Sequence, residues 1–480
     1  MHTRNRPAAR YEATLWLRAI GLVLGLFALT WMALGGASAQ ELLSRPEIPG
    51  YSTPEVIYPS PRPQWLEYVH VAGLAAMLAL ASYLAIWRRW RAGLFMLAVV
   101  SLVWLGFWRR GCVCPIGSIQ NITAGLADPA FPVPWTVVLI FALPIAFALV
   151  FGRVFCAAVC PLGAVQELVA IRPVKVPAWL EHTLGLARYI YLGLAVVYAA
   201  TGTAFIVCEY DPFVGFFRLS STANMFVLGM SFVVVGLFVG RPYCRYLCPY
   251  GAILGLCSRL AAWHVRIPPG QCIKCRLCED ACPYGAIREP TVEPSPRERA
   301  WGRRRLAALL VLAPAWVALG AVLGGGTGPA LSRLHPTVRL AEDVRLAESG
   351  QATWLSAEES STGGSSQMAG PLKNRNEAVV AFRKSGRPAS ELYAEADQLH
   401  RDFRVAGTWL GAWVGLVVGV KLISLAVRRR RTEYVTDRAA CVSCGRCFWY
   451  CPEEQIRLGL YDARPAVEAL SGAPPDAAKT

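Results

Sequence analysis

The chain has 480 residues, 55% of them hydrophobic and only 17% charged, with a mean hydropathy of +0.38. That composition excludes an ordinary soluble globular protein and points to a polytopic membrane protein. The formal net charge of +16 does not argue for a nucleic-acid partner. The arginines stand at the ends of apolar runs, as in Arg88-Arg89-Trp90-Arg91, Arg303-Arg304-Arg305 and Arg428-Arg429-Arg430-Arg431, where membrane topology accounts for them.

Residues 1–40 read as a signal anchor or signal peptide. Arg4, Arg6 and Arg10 precede an apolar run at 15–34, and Ala37-Ser38-Ala39 is an A-x-A cleavage pattern. Crossing a hydrocarbon core of about 30 Å takes about 20 apolar residues. By that measure further spans are expected at 67–87, 93–108, 132–151, 188–207, 224–240, 306–323 and 407–427, about 7–8 in all, the third being short enough to tilt or re-enter. The domains expected are a membrane domain over 41–255, a first ferredoxin-like block over 256–300, a membrane hairpin over 301–430 and a second block over 431–480. With the N-terminus inside, the basic stretches at 88–91, 241–305 and 428–431 fall in the cytoplasm; Arg109 and Arg110 are the exception. The hairpin then carries an outer loop, 326–404, in which Ser356 to Gly370 reads as disordered and Asn376 to Phe403 as helical. Gly324-Gly325-Gly326-Thr327-Gly328 lacks the Lys-Ser/Thr ending of a phosphate loop and reads as a linker.

Twelve of the 16 cysteines fall in repeated motifs. Cys272-Ile-Lys-Cys275-Arg-Leu-Cys278-Glu-Asp-Ala-Cys282-Pro283 and Cys441-Val-Ser-Cys444-Gly-Arg-Cys447-Phe-Trp-Tyr-Cys451-Pro452 both match C-x2-C-x2-C-x3-C-P. A 4Fe-4S cubane needs four converging thiolates; the tight loop supplies three, and the fourth, before the proline, ligates the other cluster of a pair. Zinc rarely uses this spacing. Two clusters are therefore expected, one on Cys272, Cys275, Cys278 and Cys451, the other on Cys441, Cys444, Cys447 and Cys282. Such cysteines imply a reducing face.

The second repeat is Gly152-Arg-Val-Phe-Cys156-Ala-Ala-Val-Cys160-Pro161-Leu-Gly163-Ala and Gly240-Arg-Pro-Tyr-Cys244-Arg-Tyr-Leu-Cys248-Pro249-Tyr-Gly251-Ala. Three intervening residues put both sulfurs on one face of a helical turn, and the proline ends it. Two such turns facing each other supply thiolates for a further 4Fe-4S cluster at the inner membrane surface; the alternative is small residues at tight helix contacts. Cys112-Val-Cys114-Pro115-Ile-Gly117 is a degenerate third form, and with Cys208 it is expected at the outer face as a third redox or metal site. Glu209 and Asp211 read as solvated loop carboxylates or proton carriers near a quinone. Cys257, His70, His182 and His264 stand alone.

On these motifs the sequence resembles the membrane-bound polyferredoxins of the NosR/NapH type, over roughly residues 130–290 and 441–456. The resemblance implies a mainly α, polytopic helical protein of the bacterial inner membrane with a small cytoplasmic α+β ferredoxin-like domain. It implies an electron-transfer component rather than a stand-alone enzyme, passing electrons from a cytoplasmic or quinol donor to a periplasmic redox partner, with membrane lipid around it. No flavin-attachment motif is present in the outer loop. The alternatives are metal handling, with Cys112-Val-Cys114 as a soft thiolate site for copper reduction, and redox-sensing regulation.

Overall fold

The computed structural model describes residues 63–459 apart from 112, 172, 219–222, 268–271, 292, 294, 350–377 and 428–429. The expected N-terminal signal and first span, the Ser356–Gly370 stretch and Cys112 lie outside the described residues.

The protein is mostly helical with little sheet. Among the described residues five helices are long and apolar enough to cross a membrane: Trp65–Trp87, Arg91–Trp108, Ala178–Ala200, Pro296–Ser332 and Ala389–Ala426; Trp135–Phe151 and Met225–Gly236 are shorter apolar helices. In chain order, α1 (Gln64–Ser82) and α2 (Arg91–Ser101) each continue into a π-helical stretch, ending at Trp87 and Trp108. There follow α3 (Pro115–Ala127), α4 (Trp135–Phe151), a π turn at Phe155–Val159, α5 (Pro161–Val169), α6 (Ala178–Ala200), α7 (Ile206–Tyr210), α8 (Pro212–Arg218), α9 (Ala223–Gly236), α10 (Pro242–Tyr246) and α11 (Pro249–Cys257). The span expected at 188–207 is displaced to α6, which starts earlier, at Ala178. Its polar first turns are tolerated because Glu181 takes hydrogen bonds from Arg245 Nε (2.9 Å) and the Tyr246 hydroxyl (2.6 Å).

One pattern recurs four times. An apolar helix is followed, after a turn, by a short helix that starts on a proline: α2 then Pro115, α4 then Pro161, α6 then Pro212, α9 then Pro249. Proline suits the first helical position, where its missing N–H costs nothing and its φ is already helical. The residue ahead of it is pushed into extended geometry, as seen at Cys114 (φ −119°, ψ 101°) and Cys160 (φ −80°, ψ 115°).

The ferredoxin-type blocks come together through β1 (Ile287–Arg288), which pairs antiparallel with β2 (Val435–Thr436). Helix α12 (Leu277–Asp280) lies in the first block, α16 (Arg446–Trp449) and α17 (Pro452–Arg457) in the second. Between them run α13 (Pro296–Ser332), α14 (Pro336–Glu348) and α15 (Ala389–Ala426). The glycine run expected as a linker lies inside α13. A Cβ at Gly320, Gly324 or Gly328 would collide with the backbone of α15 around Gly411, Gly407 and Phe403, and Gly411 and Gly415 are closed off reciprocally by α13. Glycines four apart let two apolar helices meet backbone to backbone, which outweighs their weak helix propensity. Part of the expected outer loop is also ordered: Val338, Ala341 and Val344 of α14 pack with Val379, Phe382, Leu392 and Ala396 in a small core of their own.

Candidate iron–sulfur centres

Both ferredoxin-type blocks fold the same way around their second cysteine. Lys274 and Arg276 flank Cys275 with φ of 54° and 69°, and Ser443 and Gly445 flank Cys444 with φ of 55° and 78°. Left-handed residues alternating with ordinary ones turn successive amides to one side, a concavity that suits an anionic centre. The last cysteine of each block lies beside the first three of the other. Cys278 feels the charges of Cys275, Cys451 and Cys272, and those four line one pocket with Ile267 and Tyr434. Cys447 feels Cys441, Cys444 and Cys282. Burial raises these thiols, Cys441 to about 12, Cys444 to about 11 and Cys278 to about 11. They stay protonated at neutral pH unless a metal displaces the proton, and thiolate binding to iron does that.

The Cys-x3-Cys-Pro turns face each other behind the second block. Cys156, Cys160, Cys244 and Cys248 are all buried, at 7–8% exposure, and each of Cys160 and Cys248 lies within charge range of other members of the group. Two buried arginines make the arrangement reciprocal. Arg153, at the opening of the first motif, sits against Gly251 of the second, and its Nη2 stands 3.8 Å from Cys156 Sγ. Arg241, at the opening of the second motif, sits against Gly163 of the first and donates to the Cys156 and Ala157 carbonyls. A side chain at either glycine would press on the arginine, so the Cys-Pro-x-Gly spacing serves close approach. Both arginines also face the second ferredoxin block: Arg153 donates to the Ala439 carbonyl (3.1 Å), and Arg241 lies within charge range of Cys444.

Glu167 locks this junction. It accepts from Arg241 Nε (3.3 Å), Arg446 Nη2 (2.7 Å) and the Tyr284 hydroxyl (2.8 Å), and so ties α5, the Arg241 motif and both ferredoxin-type blocks together. Burial opposes its charge, but Arg241 and then Arg446 outweigh that and bring its pKa down from 4.5 to about 2. Gln166 beside it accepts from the Tyr243 amide (3.1 Å) and donates to Cys244 Sγ (3.2 Å).

The depth of the Cys156 group follows from α2. Just ahead of that helix, Arg89 pairs with Glu454 of the second block (2.8 Å) and donates to the Arg266 carbonyl. Ser101, at the far end of α2 and hence ~15 Å along the helix from Arg91, donates to the carbonyl of Val159, next to Cys160 (2.5 Å). Gly106 then approaches Pro161. Cys160 therefore lies alongside the far end of α2, while Cys156 lies nearer the second block, linked to it through Arg153.

Cys114 and Cys208 come together beyond it. Cys208 Sγ stands 3.2 Å from the position of a Cβ on Gly117, and Cys114 feels the charges of both Asp211 and Cys208. Asp211, expected in solvent, is 2% exposed and accepts from the Tyr243 hydroxyl (2.7 Å) and the Phe213 amide (2.9 Å). Cys257 is half-buried, and His70 is buried against Trp104. Among the described residues no three His, Cys, Asp or Glu side chains close tightly enough for a single metal ion; sulfurs spread around a multi-iron cluster stand wider than the ~4 Å between thiolates on one zinc. Sequence reasoning did not single out the arginines, Gln166 or Glu167, and it left Asp211 in solvent. The Gly-Arg opening of each motif and the Asp-Pro pair after Cys208 were the available signals.

A cavity of about 1350 Å³ opens beside Cys244, between the blocks, α6 and α15, with Arg188, Arg245, Arg288, Lys421 and Trp413 among its walls.

A 4Fe-4S binding domain family matches residues 133–178 and again 222–268, so that each match holds one Cys-x3-Cys-Pro turn, and another 4Fe-4S binding domain family matches 265–288. NirI of Paracoccus denitrificans is 30% identical over 267 residues, covering 49% of this chain and 39% of NirI. The regulatory protein NosR of Pseudomonas aeruginosa is 28% identical over 309 residues, 56% of this chain and 41% of NosR. MauN, a methylamine utilization ferredoxin-type protein of Paracoccus denitrificans, is 29% identical over 165 residues, 31% of this chain and 54% of MauN. The chain thus spans about two fifths to a half of these relatives' length. No solved structure matches it.

Proposed function

We propose that this chain, similar to NosR and NirI and matched by 4Fe-4S binding domain families, is a membrane-associated 4Fe-4S protein that serves as an electron conduit through the bacterial inner membrane. Cys272, Cys275, Cys278 and Cys451 hold one 4Fe-4S cluster, Cys441, Cys444, Cys447 and Cys282 a second, and Cys156, Cys160, Cys244 and Cys248 a third. The ferredoxin-type blocks form a small α+β unit on the cytoplasmic face. Electrons from a cytoplasmic or quinol donor leave toward a periplasmic redox partner. When bound, the clusters supply one-electron chemistry; the protein fixes their order and their surroundings.

The observation that carries this reading is the serial placement of three four-cysteine groups. Arg153 and Arg241 reach from the second group to the third. Two guanidiniums buried between anionic centres favour electron residence there and hold the spacing fixed. The cavity beside Cys244 gives a donor such as a quinol access to the same group.

The test is iron and acid-labile sulfide analysis of anaerobically purified full-length protein, followed by reduction of inverted and right-side-out vesicles with an impermeant reductant. The conduit requires several 4Fe-4S signals, with the ferredoxin pair reduced first in inverted vesicles. Bound copper with little iron would instead support metal handling and reject the conduit.

A further inference from the structure

The Cys-x3-Cys-Pro turns are the second and fourth of four equivalent Pro-initiated turns, and we propose that the first and third build another iron–sulfur site, with Cys114, Cys208 and Asp211 as ligands. The proposal rests on the reading of the Cys156 group just given.

Three correspondences support it. In every turn the residue before the proline accepts an amide from the first helical turn: Cys114 from Gly117, Cys160 from Gly163, Cys248 from Gly251 (3.3 Å), and Asp211 from Phe213 (2.9 Å). Asp211 therefore takes the place in the third turn that Cys248 takes in the fourth. Second, the pairing is the same. Gln166, six residues after Cys160, accepts from the amide of Tyr243, the residue before Cys244. Gln120, six residues after Cys114, accepts from the amide of Val207 (3.0 Å), the residue before Cys208. Cys208 thus stands to Cys114 as Cys244 stands to Cys160.

The third correspondence is an unfilled one. Gln166 uses its Nε2 to donate to Cys244 Sγ (3.2 Å). Gln120 is fully buried at 0% exposure, yet its Nε2 has no hydrogen-bond partner among the described residues. A buried amide donor without an acceptor carries its whole desolvation penalty uncompensated. A ligand anion beside Cys208, as thiolate or cluster sulfide, is the acceptor this nitrogen is placed to meet.

Tyr243 joins the two sites. Its backbone amide is fixed beside Cys244, and its hydroxyl donates to Asp211 Oδ2 (2.7 Å). Clusters held at the two sites would exchange one electron, the first oxidised as the second is reduced, with no bond made or broken. This carries the route past the midpoint of the second span to its far end.

The experiment uses the full chain, purified anaerobically, with iron and sulfide content and potential-resolved EPR as readouts. Cys208→Ser should lose that cluster's iron, about three to four atoms per chain for a cluster on three protein ligands, while the ferredoxin-pair spectra stay unchanged. Asp211→Cys should keep that iron but move the signal's g-values and midpoint potential. Unchanged iron and spectra in both variants overturn the site. So does loss of all cluster signals in both, which would make these side chains packing groups. Wild-type protein without iron at any group rejects the broader conduit reading instead, so the two failures are distinguishable.

Discussion

Replacing Glu167 with Gln removes one negative charge from the junction of α5, the Arg241 motif and the ferredoxin-type blocks and keeps an acceptor for Tyr284. In the native protein Glu167 is 11% exposed and holds both Arg241, itself 1% exposed, and Arg446. Its pKa falls from 4.5 to about 2 on folding, which corresponds to ~3 kcal/mol of stability at neutral pH. Breaking a buried pair by removing one partner costs about 3–5 kcal/mol, the same scale. Because the folded-state pKa is depressed, this contribution is full above pH 4.5 and is lost as pH falls toward 2. Hydrogen exchange of residues 435–457 in detergent should therefore show about a hundredfold loss of protection in Glu167→Gln at pH 7, with the gap to wild type closing as the pH is lowered. A change of less than about threefold at pH 7, or a gap that widens toward acid, would refute the reasoning.

Three further outcomes are expected. Cys451→Ser should remove the cluster signal of the Cys272 group and Cys282→Ser that of the Cys441 group; EPR showing each variant disturbing only its own block would reject the exchange. Arg153→Gln should lower the midpoint potential of the Cys156-group cluster by tens of millivolts, on the order of 100 at most for a charge a few ångströms away at an effective dielectric near 20; potentiometric titration showing a rise counts against the arginine's role. Gly411→Leu should destabilise the α13–α15 pair by about 1–3 kcal/mol or more, read as a lowered thermal midpoint. Gly326→Leu, where nothing lies within 4 Å of an added Cβ, should not.

The cysteine motifs were legible because the spacing within each is local, and their repetition suggested which would meet. Their surroundings were less so. Gly324 to Gly328 suggested a linker since glycine runs weaken a helix in isolation; only the facing Gly407 and Gly411 show why the helix persists. Asp211 read as solvated because nothing in its own segment announces that Tyr243, 32 residues later, will cover it. The start of α6 was placed too late because Glu181 looks unsuited to a span until its partner, Arg245, is known. The equivalence of Gln120 and Gln166 was visible as C-P-x-G-x-x-Q in two segments, but its meaning needed the amides each side chain meets.

If the sulfurs of the ferredoxin pair ligate as proposed, their crossing also bears on the order of assembly. Cys282 lies with the group that begins at Cys441, and Cys451 with the one that begins at Cys272, with α13 and α15 lying between in the chain. Until α15 has been synthesised and folded back, the first block offers an incomplete set of ligands. On the proposed ligation, neither centre can close until α15 has brought the second block back against the first.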